Sequence, residues 1–248
     1  MTTIIILFIA HWYLSLTFQT LFLHRYASHG YYKLGPVGEK LGHLLTWITQ
    51  GPSYLSPYAY GILHKAHHSY SDTNKDPHSP HHHSGPINMM LNTAKVYNEV
   101  FEGTHAYCKT FTPHVNNHHK FDQFASNWIT RISVMLFYTW IYSQLATHWS
   151  QYLLLPIHFF MGPLHGFIVN WFGHWAGYRN TETPDESKNT LAVDLFLMGE
   201  LYQNNHHAEP NNPNFARKWW ELDIGHWVLE KFVNLKGSEK TQTIGSRP

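Results

Sequence analysis

The chain has 248 residues with 17 Lys and Arg against 16 Asp and Glu, a near-neutral balance that excludes the strongly basic surface nucleic acid requires. Only 13% of residues are charged and 16% are aromatic, whereas a soluble domain carries about 25% charged residues; the pairing fits a membrane protein with interfacial aromatic belts. Cys108 is the single cysteine, which excludes an intrachain disulfide and thiolate clusters and leaves nitrogen and oxygen as metal ligands.

Apolar residues are concentrated in a few segments, which is why mean hydropathy is mildly negative all the same. The first, Ile4 to Phe22, holds no charge and approaches the ~20 residues a helix needs to cross a bilayer, so a span is predicted over about 4–23. No basic residue precedes it and no small-residue cleavage site follows it, so it reads as retained rather than as a signal peptide. The stretch 36–63 is interrupted by Glu39, Lys40 and three prolines. It is too short for two crossings, and one crossing would put the histidines on its two sides on opposite faces, so an interfacial or re-entrant helix is predicted. Residues 64–127 then read as cytoplasmic. Ile132 to Thr147 is a marginal span that Arg131 extends by snorkelling, giving about 128–148. Tyr152 to Gly173 supplies the last span, about 152–174, and 175–248 reads as cytoplasmic. Every Lys and Arg lies between 25 and 131 or from 179 onward, one side of the membrane in this topology, and by the positive-inside rule that side is the cytoplasm. The prediction is an all-α integral membrane protein, a single domain over 1–248, with a cytoplasmic helical cap.

Histidine is the other excess, at 22 residues. In HRYASH, His24 and His29 stand five apart and point roughly 140° apart on an ideal α-helix. They meet one cluster only if the helix ends between them or if they flank two metals. In HKAHH, His64, His67 and His68 share one helical face, so their rings are expected to converge on one region. NWFGH sets Asn170 and His174 at i and i+4, and QNNHH repeats the i, i+3, i+4 pattern with Gln203, His206 and His207. Each cluster falls where an apolar segment meets the cytoplasm or soon after, and that common depth argues for one shared site. A thiolate-free histidine shell suits Fe, Zn, Cu or Ni. Eight histidines exceed the needs of one ion, so two metals are expected; composition leaves their identity open.

HRYASH, HKAHH and QNNHH, in this order and with NWFGH between the last two, resemble the three histidine boxes and the extra Asn-x-x-x-His of membrane fatty acid desaturases, most of all the acyl-CoA branch. DPHSP at 76–80 and the GE at 199–200 also look like that family. The resemblance covers roughly residues 20–210. It implies an oxygen-dependent desaturase with two iron ions, O2 as co-substrate, a fatty acyl substrate carried as acyl-CoA or acyl-lipid, and electrons from a separate protein. By matching positions, the iron ligands are His24, His29, His64, His67, His68, His174, His206 and His207. Asn170 matches a position that contacts iron through water. Gln203 replaces the usual first histidine of the third box, as in front-end desaturases, either coordinating through its carbonyl oxygen or bonding to a ligand. The family places a transmembrane helix ahead of the one bearing the first box, and this chain begins too late for it, so three crossings are expected, with the N-terminus outside.

Other features have plainer readings. His81, His82 and His83 fall in a loop broken by Pro77, Pro80, Gly85 and Pro86, and His78 reads as structural. NNHHK at 116–120 imitates NNHHA at 204–208 but lacks the polar residue ahead of it, and reads as a loop. His11 and His158 read as neutral histidines bonded to neighbouring helices, and His165 lies behind Asn170. Arg25, Lys65 and Arg179, with Arg217 and Lys218, are candidates for binding a phosphate-bearing headgroup, or ordinary interfacial anchors. Trp47, Trp171 and the aromatics of the first span are candidates for the walls of an acyl cavity. Two rival functions stand beside desaturation: hydroxylation at the same site, and transport or storage of metal.

Overall fold

The structure is a computed structural model and describes residues 2–232; the end of the predicted cytoplasmic segment, 233–248, lies outside the described residues. These are all-helical, with no strand and only isolated bridges at Tyr178, Asn189 and Tyr202. Thr2–Ser28 is one continuous helix of 27 residues. It is α-wound over α1 (Thr2–Phe18) and π-wound over Gln19–Ser28. One face packs Trp12 and Leu16 against Met161, Leu197 and Leu201, while Ile5, Ile6, Ile9 and Leu14 are exposed on the other.

α2 (Pro36–Gln50) runs antiparallel to this helix. Glu39 near its start accepts a hydrogen bond from Tyr26 (2.6 Å), and Thr49 near its end bonds through its carbonyl to His11 Nε2 (2.7 Å). The chain then turns at Gly51–Ser53 and returns as α3 (Pro57–Tyr70). Gly51 makes the turn possible, with φ +58° and the Tyr138 hydroxyl 2.4 Å from where a Cβ would stand. Ser56 caps α3 by accepting from the Ala59 amide, and Pro57 sits where its missing N–H costs nothing. The 36–63 stretch thus folds as two helices joined by a tight turn.

α4 (Pro86–Phe101) packs on α3 through Ala59, Ile62, Leu63 and Val100. The short α5 (Tyr107–Thr110) and α6 (His119–Ser126) lead to α7 (Trp128–Leu145), which Asn127 caps. Arg131 does not snorkel outward. Its guanidinium turns inward to the carbonyls of Ser126 (2.8 Å), Tyr54 (3.2 Å) and Pro52, acceptors left open by the end of α6 and by the tight turn after α2.

The predicted 152–174 span is broken. The 3₁₀ segment Trp149–Leu154 and α8 (Leu155–Phe159) meet α9 (Met161–Trp175) at 74°. Among the described residues one helix is long and apolar enough to cross a membrane, or two if the bent pair is one span; α7 does not reach that threshold. His158 bridges the region as expected, with Nδ1 on His11 Nδ1 (2.6 Å) and Nε2 on the Tyr142 hydroxyl (2.8 Å). A long segment after α9 leads to α10 (Gln203–Ala208) and α11 (Ile224–Phe232).

Candidate metal centre

The π-wound segment decides how the first histidine pair works. Bonding i to i+5 widens the turn, so residues five apart come round to one side; the His29 amide bonds to the His24 carbonyl (3.2 Å). The two rings stand 5.0 Å apart. Of the two alternatives drawn from α-helical geometry, the helix does end before His29, which caps it, and the π winding brings the two rings into one group rather than dividing them between two metals.

The second and third boxes, by contrast, divide. His24, His29, His64, His68 and His206 offer nitrogens within 4.8 Å of one another, and His67, His174 and His207 form a second such group. The three rings of HKAHH therefore do not converge on one region: His64 and His68, at i and i+4, face one group and His67 the other. Adjacent His206 and His207 straddle the two in the same way. All eight predicted ligands are in these groups.

Carboxylates stand behind four of the rings. His24 Nδ1 donates to Glu200 (2.5 Å), His67 Nδ1 to Asp76 (2.9 Å), His174 Nδ1 to Asp72 (2.7 Å) and His207 Nδ1 to Asp185 (2.5 Å). Holding the proton on Nδ1 leaves Nε2 as a lone pair facing inward. Nε2 of His67, His174 and His207 is buried with no hydrogen-bond partner. In the five-histidine group Nε2 atoms face each other, His24 to His206 at 3.1 Å and His68 to His206 at 2.9 Å. Burial, and then neighbouring rings, hold His64, His68 and His206 well below the ordinary imidazole pKa. Burial likewise brings His207 down to about 4. At His67 burial is the largest single influence and pushes down, but Asp76 together with Asp72 and Asp185 outweighs it and the shift is upward. Burial alone would raise Asp72 and Glu200, but His174 and His24 hold each at about 2. Neutral rings presenting lone pairs to one another repel unless a cation sits between them, so this donor set fits two transition-metal ions.

A cavity of about 260 Å³ adjoins the five-histidine group. His24 and His64 form part of its wall with Leu16, Leu63, Met90 and Phe167, and Asn170, Gln203 and His78 line it too. Neither Trp47 nor Trp171 does. Trp47 packs instead on Phe121 and Phe124, and Trp171 stacks between Phe167 and Trp175. Gln203 is buried with its amide donating to the Glu200 carbonyl (2.8 Å). Gly173 makes room for it, since a Cβ there would stand 2.4 Å from Gln203 Cγ.

The predicted cations fare differently. Arg25 is wholly buried and pairs with Glu200 and Asp223 (2.8 Å each), with Phe215 under its guanidinium at 4.1 Å. It therefore faces no headgroup: the charge anticipated at the surface is drawn inside by two carboxylates. Arg179 donates to Thr183 and to the Asp185 carbonyl, and Lys65 to the Thr112 carbonyl (2.8 Å). His82 is exposed, as a loop residue should be, but His78 is buried with both ring nitrogens unpartnered and its ring 4.5 Å from that of His67. Sequence reasoning missed the four supporting carboxylates, although Asp76 and Glu200 stand inside the quoted DPHSP and GE.

A family model described as fatty acid desaturase matches residues 1–241. A hex-5-enoyl-[acyl-carrier protein] acetylenase of Moorena producens is 26% identical, over 91% of this chain and 73% of its own. The sn-1 stearoyl-lipid 9-desaturase of Synechocystis sp. is 31% identical, over 72% of this chain and 53% of its own. A Delta-9 desaturase-like 5 protein of Arabidopsis thaliana is 27% identical, over 88% and 69%.

Proposed function

Because the chain belongs to the fatty acid desaturase family, we propose that it is a membrane-embedded, oxygen-dependent acyl desaturase that forms a C=C bond at a di-iron centre. The observation that carries this reading is the pair of histidine groups, lone pairs inward and carboxylates behind, beside a largely apolar cavity. Two bound iron ions would supply, with O2 and two external electrons, the oxidising power that removing two hydrogens from unactivated methylenes demands. His24, His29, His64, His68 and His206 would hold one ion, and His67, His174 and His207 the other. Asp72, Asp76, Asp185 and Glu200 fix the tautomers of four of these ligands. Asn170 and Gln203, on the cavity wall, stand where a water or a ligand ring would be hydrogen-bonded. Leu16, Leu63, Met90 and Phe167 exclude water and align the acyl chain, so that one pair of methylenes lies against the wall that His24 and His64 form. With two protons and two electrons, one O2 leaves as two waters for each alkene formed.

The proposed topology has three crossings: Thr2–Ser28, α7, and the bent α8–α9 pair, with α2 and α3 re-entrant and the histidines on the cytoplasmic side. The distribution of Lys and Arg supports it. The acyl carrier is CoA or a lipid, and a separate redox protein delivers the electrons. Mass spectrometry of lipids from a host fed defined fatty acids tests the reaction. The expected product is two mass units lighter than its substrate; one sixteen units heavier would establish hydroxylation instead.

A further inference from the structure

We propose a third metal site, apart from the two histidine groups and independent of the reaction assigned to them: Glu39, His43 and His118 bind a divalent transition-metal ion of the Zn2+ type. Their ligand atoms lie within 4.8 Å of one another. Glu39 and His43 come from one face of α2, four residues apart, and His118 from the segment leading into α6. This absorbs the NNHHK stretch, which is not the free loop its sequence resembles.

His43 is 2% exposed, with Nδ1 toward Asp122 (3.3 Å) and the Tyr54 hydroxyl (3.4 Å). Its Nε2 is buried and has no hydrogen-bond partner. A carboxylate behind one ring nitrogen and a bare second nitrogen is the pattern of a metal-ligating histidine. The His118 ring stands 4.6 Å from that of His43, and its Nε2 is 3.0 Å from Glu39 Oε1. Tetrahedral ligands at Zn–N and Zn–O distances of ~2.0–2.1 Å lie about 3.3 Å apart, so Glu39 and His118 already stand close to that spacing and side-chain rotation must bring the His43 nitrogen in from within 4.8 Å. Glu39 is anchored by other donors as well: Tyr26 donates to Oε2, and the Asn116 amide and side chain share Oε1 with His118. Two imidazoles and one carboxylate leave a position for water, toward the partly exposed side of His118. Phe22 and Phe121 set their edges against the His43 ring and keep the inner side dry.

The ion would tie α2 to the segment before α6. Asp122 also accepts from Tyr54 and from Ser56, the residue that caps α3, so the site braces the helix bearing the second histidine box. Elemental analysis of the purified full-length protein tests it, comparing wild type with His118→Ala and His43→Gln. Each variant should lose one metal equivalent per chain and keep its turnover, and the melting-temperature loss that a chelator causes should shrink. His118 is partly exposed, so His118→Ala is expected to fold even if His43→Gln does not. Equal metal content in wild type and His118→Ala would overturn the proposal and leave Glu39 and His118 as a hydrogen-bonded pair. Loss of the metals held by the other groups is read separately, in His67→Ala.

Discussion

His67 and His82 belong to the same histidine-dense stretch, yet they differ in every physical respect that matters for binding. His67 is buried, with Asp76 on Nδ1 and a bare Nε2, whereas His82 is exposed and bonds only to the Asp72 carbonyl (2.8 Å). His67→Ala should abolish turnover and lower bound iron, while His82→Ala should leave both near wild type; equal losses would refute the division. Asp76→Asn keeps the ligand but weakens its orientation, and should cost about 10- to 100-fold in metal affinity, read by chelator competition. Arg25 gives a prediction about stability. Removing its guanidinium with Arg25→Ala leaves Glu200 and Asp223 buried with unbalanced charge, a loss of ~3–5 kcal/mol that thermal melting would report. The histidine clusters were legible as motifs, and the i, i+4 pair His64 and His68 does share one α-helical face, but spacing alone misplaced His67, which turns to the other group. The carboxylates behind the rings were not legible, because Asp72, Asp76 and Asp185 reach the site from irregular segments whose positions depend on tertiary packing.

At the scale of elements, the turn between α2 and α3 was legible from Pro52 and Pro57, which interrupt the apolar stretch. The break between α8 and α9 was not. A hydropathy run has no memory of direction, and the 74° bend leaves composition unchanged. The bend matters because it sets α9 with Gly162 and Gly166 along the cavity. A Cβ at Gly166 would meet only Gln19 Nε2, at 3.8 Å, so a larger side chain there enters the cavity without striking backbone. Gly166→Leu should therefore penalise long acyl chains more than short ones, by ~0.8 kcal/mol for each methylene denied burial; chromatography of products from a mixed-chain feed would show it. An unchanged chain-length profile would mean the acyl group lies elsewhere. Gly51→Ala should destabilise the hairpin by ~1–3 kcal/mol, because φ +58° with ψ −126° is a backbone conformation that side-chain-bearing residues rarely adopt, with the Tyr138 contact adding to that.

For the whole molecule, eight histidines from four separate parts of the chain converge in the interior. Without cations their facing lone pairs oppose folding, so metal binding and stability are linked. Chelation should abolish turnover and lower the melting temperature, by ~2–4 °C per kcal/mol of lost binding for a chain of this size. Ferrous iron should restore both; a melt indifferent to chelator would argue against any ion at these groups. Composition, with its few charges and many aromatics, pointed to the membrane. The buried charges were invisible to it because Arg25, Glu200 and Asp223 sit far apart in sequence and are joined only by the fold.

The winding of Gln19–Ser28 bears on how such motifs are read. Histidines spaced by five meet here because the local backbone is π-wound, and those spaced by four, His64 and His68, meet in α3 because it is α-wound. The gaps between motif letters therefore record backbone pitch as much as the demands of an ion. Deleting one residue between His24 and His29 would give them the favourable α spacing on paper. In the folded chain it would move every residue beyond Arg25 around the helix axis, carrying Tyr26 away from Glu39 and the chain beyond Ser28 away from α3. A search that tolerated gaps within the first box as freely as in a loop would accept sequences that cannot assemble this centre.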